Sequence, residues 1–348
     1  MISFEDLIQT VRSGKWIQFY SGSICYKFLA SEKFVGNLNL FDSKSNEPVH
    51  LVLTKNRLSA LDSTDSFSED AQFILTDSRA DFVQFLINPL SKSFDKADIP
   101  HSLKPLSPHL KVILKLIKSS KLLPSYLFCK TEFNAELPLI DIDKLNVQMS
   151  FSNIVLERVS EVRVPITQTN DALFIAFRPN DGGQEHIAII IGDPSLVEIP
   201  LVRVHSECFT GDLFSSLRCD CGSQLKGAIE MMCNHHNGIL IYLAQEGRGI
   251  GLVNKLRSYQ LQDQGIDTVD ANLALGFDVD ERDYFVAAQI LESLNINAIR
   301  LLTNNPEKVR ALEDLGVKVI ERVSHIFPSN PFNQMYMNTK KIKSGHFV

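Results

Sequence analysis

Beyond residue 185 the chain alternates strand-length apolar runs with helix-patterned stretches, and few folds accommodate that alternation. Residues 186–191 read as a strand closed by Gly192-Asp193, and 201–204 as another. Residues 224–233 carry Leu225, Ala228, Ile229 and Met232 on one helical stripe, and Gly238 turns the chain into a strand over 239–243. A cleaner unit follows. Residues 298–302 form a strand, Asn305 is placed to cap a helix, Pro306 takes its first position, Glu307 its first turn, and Leu315-Gly316 closes it before a strand over 317–320. Strands and helices in this order bury their apolar faces in layers, so an α/β domain is expected. The last 25 residues are polar and irregular until Tyr336, and read as packing on the body or covering a site.

The first 150 residues read differently, as a smaller α+β domain. A helix is expected over 2–14 from Phe4, Leu7, Ile8 and Val11, with Gly14 as its stop, and strands over 16–20 and 49–54. Residues 83–87 are a short apolar stretch ended by Asn88-Pro89, and three prolines between 100 and 108 break regular structure before a helix over 110–117. This half has no metal-ligand spacing, no phosphate-cradling glycine loop and no acidic cluster. At 348 residues the chain is long enough for two domains of ~150 residues each, and the expected division is 1–150 and 151–348.

Charge narrows the partners. The first 150 residues hold 17 Lys+Arg against 17 Asp+Glu and the remainder 18 against 24, so the net −6 lies in the second domain. No basic footprint for nucleic acid is present. No apolar run approaches the ~20 residues of a membrane-spanning helix. The first 20 residues carry Glu5, Asp6 and Arg12 without a continuous apolar region, which does not suit a secretory leader. The expectation is a cytoplasmic protein with reduced thiols.

In that setting the cysteines are informative. Cys25 and Cys129 stand alone, whereas Cys208, Cys219, Cys221 and Cys233 fall within 26 residues. Zinc favours thiolates, and a catalytic zinc keeps one position for water. Cys208 and the Cys219-x-Cys221 pair could supply three sulfurs, with Cys233 or His205 as a possible fourth ligand. Cys233 also falls on the apolar side of its helix, where a buried free thiol is common. Spacing leaves three readings open: a metal, simple buried thiols, or a redox pair.

The motifs RVHSECFTGDLFSSLRCDCGSQL, AQEGRGIGLVNKLRSYQLQDQGIDTVDAN, LGFDVDERDY, RLLTNNPEKV and NPFNQMYMNTKKIKSGH, in this order over residues 185–346, closely resemble the GTP cyclohydrolase II family. The resemblance implies a zinc enzyme that opens the imidazole ring of GTP as the first step of riboflavin biosynthesis. Formate and pyrophosphate are released, leaving 2,5-diamino-6-(5-phospho-D-ribosylamino)pyrimidin-4(3H)-one. It also implies magnesium with the triphosphate and a homodimer. Cys208, Cys219 and Cys221 match the zinc ligands, one ion per chain. Arg203, Val204, His205, Ser206, Glu207, Gln224, Glu246, Gly247, Arg248, Thr268, Thr303 and Lys308 match substrate-contacting positions. Asp280, Arg282 and Tyr259 match catalytic ones. In the family's account Arg282 attacks the α-phosphorus, with Asp280 assisting by proton transfer and Tyr259 near the ring-opening steps. Because a guanidinium is protonated in ordinary surroundings, electrostatic stabilisation by Arg282 is the alternative. One departure lies at the domain entrance, where VPITQTNDALF replaces the family's glycine-containing hairpin and offers Asn170-Asp171 for the turn.

The opening FEDLIQTVRSGKWIQFY and the later HLVLTKNRLSAL faintly resemble 3,4-dihydroxy-2-butanone 4-phosphate synthase. That family places an acidic run after its first strand. Here the matching SGSICYKFLASEKF has one carboxylate, Glu32, and the family's late His-Thr-Glu element is missing. A degenerate or accessory domain without synthase activity is expected, with a use in packing or assembly.

Overall fold

The computed structural model describes residues 3–35, 47–62, 67–75, 77, 79–91, 103–149, 154–180, 182–194, 197–345 and 347. The chain divides into two compact units: residues 1–153 with 253–281, and residues 154–252 with 282–348.

The first unit is built on seven strands: β1 (Ile17–Ser21), β2 (Ile24–Ala30), β3 (His50–Leu53), β4 (Ala71–Ile74), β5 (Lys104–Pro105), β6 (Ser125–Lys130) and β7 (Leu139–Ile140). Their order is β5-β4-β3-β6-β2-β1-β7, antiparallel except where β1 meets β7. Helices Phe4–Arg12 and Pro108–Ser119 pack on a core that includes Phe19, Phe28, Tyr126 and Phe128. The apolar stretch at 83–87 is the end of helix Ala80–Ile87, which buries Phe82, Val83, Leu86 and Ile87 along one face. Residues 253–281, which lie in the second half of the linear division, fold with this unit. They contribute helix Thr268–Ala274 and all but the first residue of helix Leu252–Asp263. Besides Leu261, the latter helix buries Asn254, Lys255 and Ser258. A polar buried face carries no apolar stripe to announce where it docks.

The second unit also has seven strands: β8 (Leu156–Ile166), β9 (Thr169–Pro179), β10 (His186–Gly192), β11 (Leu201–Ser206), β12 (Asn237–Leu243), β13 (Ala298–Leu302) and β14 (Lys318–Val323), ordered β14-β13-β11-β12-β10-β9-β8. Strands β8 to β10 are antiparallel, and β12, β11, β13 and β14 run parallel to one another. The β8–β9 turn is Thr167-Gln168, because Ile166 pairs with Thr169. Asn170-Asp171 therefore lies within β9, not at the turn, and Asp171 ion-pairs with Arg163 across the hairpin. On one face Val202 and Val204 join the core beneath helix Phe285–Ser293; on the other, Leu201 packs with Ala228 and Met232 of helix Cys221–Asn234. Alternation along β11 thus turns Arg203 and His205 away from the Val202 and Val204 face.

Candidate active site

Parallel strands β11, β12 and β13 end at the same edge of the sheet, and each leads into a segment that the sequence singles out. β11 delivers Glu207 and Cys208, β12 delivers Glu246 to Arg248, and β13 delivers Thr303 and then helix Pro306–Asp314 with Lys308. Ligands of open α/β sheets gather at this carboxyl edge.

Cys208 precedes the short helix Phe209–Asp212, and Cys221 opens helix Cys221–Asn234. One sulfur each from Cys208, Cys219 and Cys221 lies within 4.8 Å of the others, and the Cys208 and Cys219 sulfurs are 3.7 Å apart. Two glycines permit this convergence. A Cβ on Gly211 would stand 2.9 Å from both the Cys208 and Cys219 sulfurs, and one on Gly222 would stand 2.3 Å from the Gly211 carbonyl oxygen. The neighbouring Cys208 thiol is the main influence pushing Cys219 up to about 11, and Cys208 and Cys219 together push Cys221 up as well. Crowded thiols resist ionisation when nothing positive lies among them, and a bound cation reverses that preference. Three sulfur donors with no fourth Cys, His, Asp or Glu in the group, among the described residues, fit a zinc ion with an open coordination position. None of the six cysteines is in a disulfide, so none competes for these sulfurs. Cys233 lies outside the trio, against the Ala228 and Met232 core.

His205 is otherwise engaged. Its Nε2 is 3.2 Å from both carboxylate oxygens of Asp212, and its ring stacks on Tyr242 with centroids 5.6 Å apart. Asp212 also accepts hydrogen bonds from the Tyr242 hydroxyl at 2.8 Å and the Cys208 backbone N–H at 3.0 Å. One buried carboxylate thereby orients both the histidine and the loop that carries Cys208. Burial is the largest influence on His205 and lowers its pKa, favouring the neutral ring.

Behind the thiols lies a buried relay of charge. Lys340 donates to Asp220 at 2.6 Å, Gln224 donates to the same carboxylate at 2.6 Å, and Arg203 donates to Gln224 at 2.5 Å and to the Leu302 carbonyl at 3.0 Å. Burial lowers the Arg203 pKa to about 10, so the guanidinium stays charged near neutrality. Burial also acts to lower Lys340, but Tyr336, Asp220 and Cys221 outweigh it and hold the ammonium above its usual range. Lys308 donates to the Val204 carbonyl at 2.8 Å, and its ammonium lies 5.4 Å from the centre of the Tyr284 ring. The Arg282 guanidinium lies 5.8 Å from the same ring. Glu246 accepts from the backbone N–H groups of Phe209 at 2.6 Å and Gly247 at 2.8 Å, tying the post-β12 loop to the loop after Cys208. Gly247, Arg248, Gly249 and Gly251 all have positive φ, which costs little at glycine but strains Arg248 at +60°.

Arg203, Val204, His205, Ser206, Glu207, Gln224, Glu246, Gly247, Arg248, Arg282, Thr303 and Lys308 thus belong to the second unit with the three cysteines. The Val204 side chain is core, and its carbonyl is the part that meets Lys308. Thr303 accepts the Asn305 N–H at 3.1 Å. Tyr259, Thr268 and Asp280 belong to the first unit. There Lys255 lies 5.9 Å from the Tyr259 ring centre, and Thr268 opens a helix capped by Asp267. Asp212, Asp220, Tyr242, Tyr284 and Lys340 escaped the sequence reading. The carboxylates adjacent to or near cysteines were a usable signal. Lys340 lies in the motif NPFNQMYMNTKKIKSGH and in helix Gln334–Ser344, but nothing local marks it as the partner of Asp220.

A family model described as GTP cyclohydrolase II matches residues 157–324. The chain is 59% identical over 191 residues to a GTP cyclohydrolase-2 of Azospirillum brasilense, covering 55% of this chain and 50% of that protein. It is 55% identical over 192 residues to a GTP cyclohydrolase-2 of Hamiltonella defensa, covering 55% of this chain and 97% of that protein. The chain therefore spans half the length of the first relative and nearly all of the second. Among solved structures, a two-domain 3,4-dihydroxy-2-butanone 4-phosphate synthase from A. baumannii aligns with 94% of this chain and all of its own, at 16% identity and a TM-score of 0.34. The chain belongs to the GTP cyclohydrolase II family.

Proposed function

We propose that this chain hydrolyses GTP with opening of the imidazole ring. The products are formate, pyrophosphate and 2,5-diamino-6-(5-phospho-D-ribosylamino)pyrimidin-4(3H)-one, the first step of riboflavin biosynthesis. The observation that carries this reading is the convergence of three cysteine sulfurs at the sheet edge where buried Arg203 and Lys308 also lie. Cys208, Cys219 and Cys221 would hold zinc, which when bound supplies hydroxide near neutral pH for attack on purine C8. Asp212 keeps Cys208 and His205 in register. Lys308, Arg248 and Arg282 supply positive charge for the triphosphate, and the strained glycine loop lets backbone N–H groups approach phosphate oxygens. Gln224 and Thr303 would contact the nucleotide alongside the segment from Arg203 to Glu207, with Glu246 and Gly247 bordering it and Thr268 joining from its own segment. Arg282 acts as a cation at the α-phosphate; the ring of Tyr284 beside it suits the charged form. Asp280 assists by proton transfer, and Tyr259 serves the ring-opening steps. Magnesium accompanies the triphosphate, the protein works as a homodimer in the cytoplasm, and residues 1–150 contribute no synthase chemistry.

No helix among the described residues is long and apolar enough to cross a membrane. The test is incubation of the purified protein with GTP, zinc and magnesium, followed by mass identification of all products. The expected set is formate, pyrophosphate and the diaminopyrimidine. Accumulation of a formylated pyrimidine, or intact GTP, contradicts the reading.

A further inference from the structure

Within the first unit, residues 253–281 bury Leu261, Val269, Leu275 and Phe277, and polar contacts add to this on both flanks of the segment. On one flank Arg257 grips Glu32 with two hydrogen bonds at 2.9 and 3.1 Å, and Asn254 donates to the Lys121 carbonyl at 3.0 Å. Glu32 also accepts the Leu123 backbone N–H at 2.8 Å, so both of its oxygens are committed. On the other flank Thr54 donates to the Gly276 carbonyl at 2.7 Å, Asn56 to the Phe277 carbonyl at 2.8 Å, and Arg57 to the Ala274 carbonyl at 3.1 Å. Arg57 is itself buried and fixed by the Phe85 and Leu86 carbonyls, both at 2.8 Å. Gly276 takes φ +91°, and a Cβ there would meet the Thr54 hydroxyl at 2.9 Å and Pro124 at 3.0 Å. The approach is therefore too close for another residue. The final contact brackets Asp280 in sequence: Lys118 donates to Asp278 at 2.9 Å and to Glu281 at 2.6 Å.

Carbonyls at 274, 276 and 277 are the ones a helix end and the turn after it leave without intrahelical partners. Side chains of residues 54–57 take them up. The Hamiltonella relative is spanned almost completely by 192 residues of this chain, so most of the N-terminal half has no counterpart there. We propose that residues 1–150 form a positioning domain for the segment carrying Tyr259, Thr268 and Asp280, with Lys118 as the positioning residue for Asp280. The proposal rests on the reading of those three residues as parts of the nucleotide site. It goes beyond the expectation that this half is used in packing or assembly. A carboxylate displaced by about 1 Å loses its alignment with a reacting group, a cost of up to about a hundred-fold in rate.

The test compares wild type with Lys118→Met and Lys118→Arg in the full chain. Hydrogen exchange across residues 274–281 is read without nucleotide, together with zinc content, kcat and KM for GTP. In Lys118→Met, exchange should quicken and kcat should fall about ten-fold, with KM and zinc content within two-fold of wild type; Lys118→Arg should recover most of both. Unchanged exchange overturns the proposal whatever the activity. Faster exchange with unchanged kcat overturns it as well, since the site would not need the grip. A wild type that leaves GTP intact while exchange still quickens in Lys118→Met instead refutes the proposed reaction and leaves the grip standing.

Discussion

The surroundings of Glu32 and of Arg203 differ in how completely polar groups are satisfied. Glu32, the one carboxylate where the synthase family has several, spends both oxygens on Arg257 and the Leu123 N–H. Around β11, by contrast, the Nε of Arg203, the Nδ1 of His205 and the Oγ of Ser206 are buried without a hydrogen-bond partner. An unpartnered buried polar atom costs about 1–3 kcal/mol, so a fold retains several together only where something else repays them. A structural carboxylate closes its own accounts, whereas a binding surface leaves donors and acceptors open for a ligand. The two regions are told apart by that contrast more than by how many charged residues each holds.

Cys219→Ser should produce the largest effect on this contrast, because it removes one of only three sulfurs. Formate release should fall about a thousand-fold or more, measured under single-turnover conditions with zinc added. Retention of a tenth of the wild-type rate would mean the trio is not the reacting centre. Next in size is Arg282→Lys. A point charge still stabilises phosphoryl oxygens but lacks the planar fork, so about a tenth of the pyrophosphate release should remain. Complete loss, with a GMP-mass adduct trapped on the wild type, would instead establish covalent attack.

How much could be read in advance follows the same contrast. The strand at 298–302 and its capped helix were legible because Asn305, Pro306 and Gly316 are local signals, and the structure places the strand and cap at those residues. The thiol trio was legible because Cys208, Cys219 and Cys221 lie close in sequence. What escaped is long-range and polar. The Lys340–Asp220 pair spans 120 positions, and the Arg257–Glu32 pair spans 225. No periodicity announces a buried ion pair, because each partner alone reads as a solvated charge. Residues 253–281 group with residues 1–153 partly through such pairs, among them Arg257–Glu32.

Smaller effects probe the supporting groups. Asp212→Asn keeps the shape but weakens the hold on His205, Tyr242 and the Cys208 N–H. Zinc affinity should drop about ten-fold in competition with a chromophoric chelator. An unchanged affinity would reduce Asp212 to a packing residue. Glu32→Gln should be smallest in activity and visible in stability, costing about 1–3 kcal/mol in denaturant unfolding as Arg257 loses its charged partner. Neither wild type nor this variant should convert ribulose 5-phosphate. Dihydroxybutanone phosphate above a heat-killed control would return Glu32 to a catalytic role.

The most direct test of the open, ligand-ready character of the second unit is elemental analysis of the full chain purified without chelator. About one zinc ion per chain is expected, falling to near none in Cys219→Ser, because Cys208, Cys219 and Cys221 form the described group suited to hold it. Absence of zinc from the wild-type protein, or an undiminished content in the variant, would contradict the account.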